Sequence, residues 1–393
     1  MGMAFAMVGL GLVVLVLGAE VLVRGASRLA ARFGVTPLVI GLTVVAFGTS
    51  APELAVNLQA AFAGQGSVGL GNVLGSNVFN TLLILGLAAT FAPLRVQASL
   101  VRFEVPLVLV ASVGAYTLAI DHVVSRADGI LLLLGMVGYS LFMLGSTEEE
   151  AGTTAAVEGT GEERESGAGE AARPIPGHVP AAAVDPAASS ARAPGAPMRV
   201  SVLLVLGGLV LLVGGSRALV WGAVRIAESW GVSPLLIGLT IVAGGTSLPE
   251  LATSVVASLR GQIDIAVGNV LGSNLFNLLF VLGGTATIQS GGIDVPDPVL
   301  AFDFPVLLGV AVACFPIFLT RLEISRREGV VFVLYYGVYL LYLILDATGH
   351  ALFGGYRAAL LFFVLPLTAL ILALTSLGAW RERRAADAKA SSP

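Results

Sequence analysis

The sequence predicts an all-α integral membrane protein: a ten-helix core of two inverted five-helix repeats, followed by one extra C-terminal helix. Three observations lead there: an apolar composition, apolar runs of bilayer length, and a self-match at a fixed offset of 197 residues. Of the 393 residues, 56% are hydrophobic and 12% are charged, and the mean hydropathy is +0.93. Soluble domains carry about 25% charged residues, so a chain this apolar cannot cover a water-facing surface. Its charges gather in short segments between apolar runs of about 20 residues, the length that crosses a bilayer core.

Spans are expected near residues 3–23, 36–62, 68–93, 100–120 and 128–146, then near 198–222, 234–258, 264–288, 299–320, 329–346 and 354–378. Long runs without strict alternation favour helices over a barrel. The first run lacks the basic n-region of a signal peptide and has a counterpart later in the chain, so it reads as a span. The single cysteine, Cys314, falls within a span and reads as a small packing residue that can form no internal disulfide. His122, His178 and His350 fall in or beside loops and read as surface residues.

Residues 147–197 differ from their surroundings. They are rich in Glu, Gly, Ala, Thr and Pro, a composition that buries no core and reads as a disordered acidic linker. Four segments follow: a first transmembrane repeat at 1–146, the linker at 147–197, a second repeat at 198–346, and an extra helix with a basic tail at 347–393. The net charge of −4 comes largely from the linker, so it says little about partners.

The halves match without gaps from Gly34 to Gly86 when 197 is added to each number, and 32 of those 53 positions are identical. Val35–Ala55 and Val232–Ala252 share the motif G-T-S-x-P-E, and Gly71–Asn80 and Gly268–Asn277 share G-N-V-L-G-S-N-x-F-N. Further out, Gly25 and Arg28 match Gly222 and Arg225, and Glu104 and Pro106 match Asp303 and Pro305 at a slightly longer offset. Five helices per half is an odd number, so the repeats enter the membrane from opposite sides. Many secondary transporters share that architecture, with their sites near the midplane.

Arginine placement orients the chain. Arg24, Arg28, Arg32, Arg95, Arg102, Arg321, Arg326, Arg327, Arg381, Arg383, Arg384 and Lys389 fall on one side, against Arg126, Arg225 and Arg357 on the other. A cell-membrane protein with its N-terminus outside, and with the linker and C-terminus in the cytoplasm, is expected.

Glu53 and Glu250 lie well inside their spans, where ionisable groups are costly and mark function by default. The alternative is a packing or capping carboxylate with a polar partner. Equivalent glutamates on oppositely directed helices can approach one another, and two such carboxylates repel unless a proton or cation lies between them. Pro52 and Pro249 cannot donate to the residue four before, Gly48 or Gly245, so each motif should break its helix. The break should free backbone carbonyls, those of Ala46, Phe47, Ala243 and Gly244 among them. Irregular backbone at membrane depth must line a cavity or bind something.

Thr49, Ser50, Thr246 and Ser247 add hydroxyls. Ser76 and Asn80 share a helix face, as do Ser273 and Asn277. Gly71, Gly75, Gly268 and Gly272 form a small-residue seam that admits a neighbouring helix. Asn72, Asn77, Asn269 and Asn274 read as interhelical glue. An all-oxygen set suits a hard cation such as Ca²⁺, and the absence of Cys and His from the motifs argues against zinc or copper. No ATP-binding motif is present, so an ion gradient is the expected energy source.

These paired motifs resemble the two alpha repeats of the cation/calcium exchanger superfamily, in its sodium/calcium exchanger branch, and the resemblance covers both halves. It implies a ten-helix core with four ion sites between the second, third, seventh and eighth helices, and alternating access that exchanges Na⁺ for Ca²⁺. By motif, it makes Glu53 and Glu250 the principal Ca²⁺ ligands, with Thr49 and Thr246 beside them. It gives Ser50, Ser247, Ser76 and Ser273, with the Ala46 and Ala243 carbonyls, mainly to sodium, and places Asn80 and Asn277 at the central site.

Asn277 departs from relatives that carry aspartate there, which leaves two core carboxylates. The proton/calcium branch usually carries a glutamate where Gly75 and Gly272 stand. The leading expectation is therefore a Na⁺/Ca²⁺ antiporter of prokaryotic type. A proton-coupled antiporter of Ca²⁺ or another divalent cation is the alternative, and a cation channel is a further reading. Nothing resembles a nucleophile–base pair, so no enzyme activity is expected. Nor is any cofactor, nucleic acid or obligate protein partner expected beyond the lipid bilayer and the transported ions.

Overall fold

In lipid, backbone N–H and C=O groups find no water, so an apolar run satisfies them within itself by becoming helical. The computed structural model describes residues 1–158, 197–232 and 243–364, with 241, 366 and 368. It is built almost wholly of helices. In chain order these are α1 (Gly2–Phe33), α2 (Pro37–Thr49), α3 (Ala51–Phe62), α4 (Gly66–Phe91), α5 (Leu100–Ala119) and α6 (Arg126–Glu158). The second half supplies α7 (Met198–Ser229), α8 (Leu248–Leu259), α9 (Ile263–Ile288), α10 (Phe304–Arg321), α11 (Arg326–Ala347) and α12 (Phe353–Ala359). Seven described helices are long and apolar enough to cross a membrane, and the bent pair α2–α3, counted as one span, brings the number to eight. The chain is thus a multi-pass membrane protein.

Helix α6 runs to Glu158, so residues 147–158, expected as linker, are helical. The expected linker from 159 to 196, with His178, lies outside the described residues, as do 234–242 except 241 and all of 369–393. Of the eleventh expected span, Phe353–Val364 is described as helix.

Two bodies make up the interior. The larger core joins side chains of α4, α5, α6, α9, α10 and α11, with Leu74, Leu85, Leu275 and Phe304 among the fully buried. Cys314 is buried in it, as expected of a packing residue. A smaller cluster gathers Leu22, Ala26 and Ala30 of α1, Val205 and Leu212 of α7, Val45 of α2 and Ala257 of α8. Two short antiparallel strand pairs tie the halves together. β1 (Leu94–Arg95) pairs with β4 (Glu323–Ile324), and β2 (Val123–Val124) pairs with β3 (Ile293–Asp294). Each pair joins a loop of the first half to a loop of the second.

Helices α1 and α7 pack on each other along their length, running antiparallel. Gly11 faces Gly215, Gly18 faces Gly208 and Leu212, and Gly25 faces Val205, so positions rise on one helix as they fall on the other. A Cβ at Gly18 would lie 2.8 Å from the Leu212 nitrogen, so only glycine allows this approach. The expected seam on α9 is also used: a Cβ at Gly268 would lie 2.9 Å from the Leu38 carbonyl of α2. The counterpart partner of Gly71 and Gly75, residues 235–243 by the offset, lies almost entirely outside the described residues.

Candidate cation site

The two G-T-S-x-P-E motifs break their helices. Ser50 has φ −81° and ψ 5°, and the helices on either side of it are bent by 44°. Ser247 has φ −90° and ψ 9° at the matching place. New helices start at once, with Pro52 and Pro249 in their first turns, where a missing N–H costs nothing. Glu53 and Glu250 fall in the same first turns, at the positive ends of α3 and α8, where a negative charge is favoured. Both are buried, at 1% and 0% exposure.

The halves are stitched together across these breaks. The Ser247 hydroxyl donates to Glu53 Oε1 at 2.8 Å, and the Ser50 hydroxyl donates to Glu250 Oε1 at 3.0 Å. Each glutamate is thus held by the serine of the other motif. Ser76 joins from α4, 3.3 Å from the Ser247 hydroxyl. Thr49 donates to Asn269 Oδ1 at 3.0 Å, and the Asn269 amide reaches the Glu250 carbonyl at 3.3 Å and the Ser254 hydroxyl at 2.9 Å. Asn80 donates to Asn274 at 3.2 Å, and Asn274 donates to Thr81 at 2.9 Å. Asn77 donates to the Val73 carbonyl at 2.7 Å. Asn269 and Asn274 therefore bond between helices as expected, whereas Asn77 bonds only within its own helix and the Asn72 amide nitrogen has no partner among the described residues. Thr246 lies in the second break beside Ser247, half-buried.

Of the carbonyls expected to be freed, that of Ala46 already has protein donors. The Ala46 carbonyl accepts from the Ser50 nitrogen at 3.0 Å and from the Thr49 hydroxyl at 3.3 Å. As expected, Pro52 and Pro249 offer no N–H to Gly48 and Gly245, the residues four earlier. The Gly245 carbonyl is taken by the Ser216 hydroxyl of α7 at 2.6 Å. Sequence reasoning missed Ser216, and the repeat could not flag it, since its counterpart is Ala19. Ala243 opens the single helical turn Ala243–Gly245 that leads into the second break.

Asn80 and Asn277 lie in π-helical stretches, Phe79–Ile84 and Phe276–Val281. A π-turn fits an extra residue into the helix and is frequent at functional sites. Both asparagines are buried, as are Ser76 and Ser273. Several buried polar atoms have no hydrogen-bond partner: Glu53 Oε2, Glu250 Oε2, Asn80 Oδ1, Ser273 Oγ and both amide atoms of Asn277. Buried polar groups in folded proteins are nearly always paired, so the five oxygens among these atoms call for a ligand. Two carboxylate oxygens with neutral amide and hydroxyl oxygens form a set that fits a hard cation as cargo. Among the described residues, no group of three or more His, Cys, Asp or Glu could hold a metal. Whatever binds here must therefore rely on neutral oxygens alongside the two carboxylates.

Comparison with known proteins points to one family. The family model for the sodium/calcium exchanger protein matches residues 3–145 and 200–345. The chain is 38% identical over 288 residues to a putative antiporter, CaxA, of Alkalimonas amylolytica, covering 72% of this chain and 80% of that one. It is 32% identical over 345 residues to the sodium/calcium exchanger MaX1 of Methanosarcina acetivorans, covering 86% and 98%. Its fold superposes on a solved structure of the sodium-calcium exchanger NCX_Mj with a TM-score of 0.68 at 26% identity, covering 86% and 98%.

Proposed function

The chain belongs to the sodium/calcium exchanger protein family, and on that premise we propose that it exchanges Ca²⁺ for Na⁺ by alternating access. The observation that carries this reading is the reciprocal pair of bonds, Ser247 to Glu53 and Ser50 to Glu250, which leaves one oxygen of each buried glutamate unpartnered. Glu53 and Glu250 are the principal Ca²⁺ ligands, with Thr49 and Thr246 beside them. Ser50, Ser247, Ser76, Ser273 and the Ala46 and Ala243 carbonyls serve Na⁺ as the cage is refilled, and Asn80 and Asn277 close its centre. The core is ten helices in two inverted five-helix repeats. The antiparallel packing of α1 on α7, matched glycine to glycine by the 197-residue offset, supports that arrangement. The N-terminus faces outward and the linker inward, following the arginine bias. No cofactor or obligate partner enters the cycle.

Asn277 favours a second reading. With two carboxylates, one Ca²⁺ is balanced, and so are two protons, whereas three Na⁺ leave a positive excess. A proton-coupled Ca²⁺ antiporter follows from that charge count. Uptake of ⁴⁵Ca²⁺ into vesicles under imposed Na⁺ or H⁺ gradients separates the two. Uptake that follows the Na⁺ gradient at clamped pH supports exchange with sodium. Uptake driven by the pH gradient alone overturns it.

A further inference from the structure

We infer that Glu20 and Arg260 form an ionic latch that holds one mouth of the pathway closed and biases the protein toward the state shut on that side. The inference rests on the alternating-access reading.

Glu20 lies on α1, and its side chain is 18% exposed. Its Oε2 accepts from Arg260 Nε at 2.9 Å, and its Oε1 accepts from Arg24 at 2.6 Å. Both carboxylate oxygens are therefore committed. Arg260 is not on α1 but ends α8, at the turn into α9. Seven residues beyond Glu20, and so on the same helix face, the Ser27 hydroxyl reaches Gln262 Oε1 at 3.4 Å, in that same turn. Beneath these ties, Leu22, Ala26 and Ala30 of α1 share a buried cluster with Ala257 of α8. The C-terminal part of α1 is thus both packed and bonded onto α8 of the second half, the helix whose first turn carries Glu250.

The other half has nothing equivalent. By the 197-residue offset, Glu20, Arg24 and Ser27 correspond to Arg217, Trp221 and Val224 of α7, and Arg260 and Gln262 correspond to Ala63 and Gln65 in the α3–α4 turn. These residue types offer no matching bonds: arginine and alanine form no ion pair, and valine cannot hydrogen-bond glutamine through its side chain. The packing is equally one-sided: α1 lies along α8, whereas α7 makes no comparable contact with α3 among the described residues.

This asymmetry has an energetic consequence. Two inverted repeats of identical sequence would exchange conformations between two states of equal free energy. A tie present on one side only lowers one of those states, and a population shifts by the differential free energy alone. A partly exposed ion pair shifts such an equilibrium by roughly two- to fivefold.

Paired reporters read this shift. In a Cys314→Ala background, Ala257→Cys places a thiol under the latched mouth, and Ala60→Cys places one at the offset-equivalent position on α3. Modification by a membrane-impermeant maleimide is timed in nanodiscs without added Na⁺ or Ca²⁺. Glu20→Gln and Arg260→Gln are each expected to speed labelling at position 257 by about two- to fivefold and to slow it at position 60. The charge swap Glu20→Lys with Arg260→Glu is expected to restore both rates. Faster labelling at 257 with no change at 60 would mark local fraying and overturn the latch, as would two unchanged rates. The ⁴⁵Ca²⁺ assay on the unsubstituted chain is scored separately, so a failure of the transport reading remains distinct from a failure of the latch.

Discussion

At the scale of single residues, each glutamate divides its two oxygens between two tasks. Oε1 of Glu53 and of Glu250 is spoken for by a serine of the opposite motif, and Oε2 has no protein partner. A buried carboxylate needs compensation, and a serine hydroxyl supplies only part of it. Glu53→Gln or Glu250→Gln keeps the shape but removes the charge that a divalent cation must meet. Ca²⁺ flux is expected to fall by more than the roughly 10- to 100-fold that loss of a ligand's supporting hydrogen bond costs, while the protein still elutes as a folded species in detergent. Ser50→Ala and Ser247→Ala remove only that support, so each is expected to weaken apparent Ca²⁺ affinity within the roughly 10- to 100-fold range. Near-normal affinity in both would detach the serine cross-bonds from the site. Asn277→Asp places a third carboxylate at a buried side chain whose amide atoms now have no partner. It is expected to raise the number of Na⁺ moved per Ca²⁺, which a reversal-potential measurement in proteoliposomes reads directly.

At the scale of helices, the breaks were legible because their cause is local. Proline lacks an N–H wherever it stands, and the residue four earlier loses its donor, so G-T-S-x-P-E announces a discontinuity from sequence alone. The close helix approach on α9 was legible for a similar reason, since Gly268 and Gly272 recur on one face. The π-turns that carry Asn80 and Asn277 were not legible, because an extra residue in a turn depends on what packs against it, and Phe-Asn-Thr-Leu reads as ordinary helix. Nor was the capture of the Gly245 carbonyl by Ser216, which depends on how two distant helices settle.

The α1–α7 contact yields a test that sequence reading did not reach. Gly207 and Gly208 are neighbours on α7, yet a Cβ at Gly207 meets nothing within 4 Å, and one at Gly208 lies 2.7 Å from the Leu22 nitrogen of α1. Helix propensity treats both changes to alanine alike, so their difference isolates packing. Gly208→Ala is expected to destabilise by about 1–3 kcal/mol through overpacking, seen as a lowered thermal midpoint in detergent. Gly207→Ala is expected to leave that midpoint unchanged or slightly raised.

At the scale of the whole molecule, the two halves are interlocked rather than placed side by side. Both strand pairs cross between them, the serine–glutamate bonds cross, the Thr49–Asn269 and Asn80–Asn274 bonds cross, and the larger core draws side chains from each. The 197-residue offset made the kinship of the halves legible. It could not show where one of two equivalent positions had gained a contact, as Glu20 has and Arg217 has not among the described residues, because a mismatch in a repeat looks the same whether it is drift or a new bond. An interlocked pair of halves has a consequence for the segment between them. Neither half alone can complete the site, since each glutamate is held by a serine from the other, and the strand partners would be missing as well. The contacts named above all lie among the described residues on either side of 159–196. A protease site inserted within residues 159–196 and cleaved after purification is therefore expected to leave ⁴⁵Ca²⁺ exchange and the thermal midpoint essentially unchanged, with the two fragments co-eluting. Residues 1–158 expressed alone are expected to show no Ca²⁺ uptake. If cleavage abolished exchange while the fragments still co-eluted, the connection itself would have to take part in transport, and the contacts across the halves would not be sufficient to build the working site.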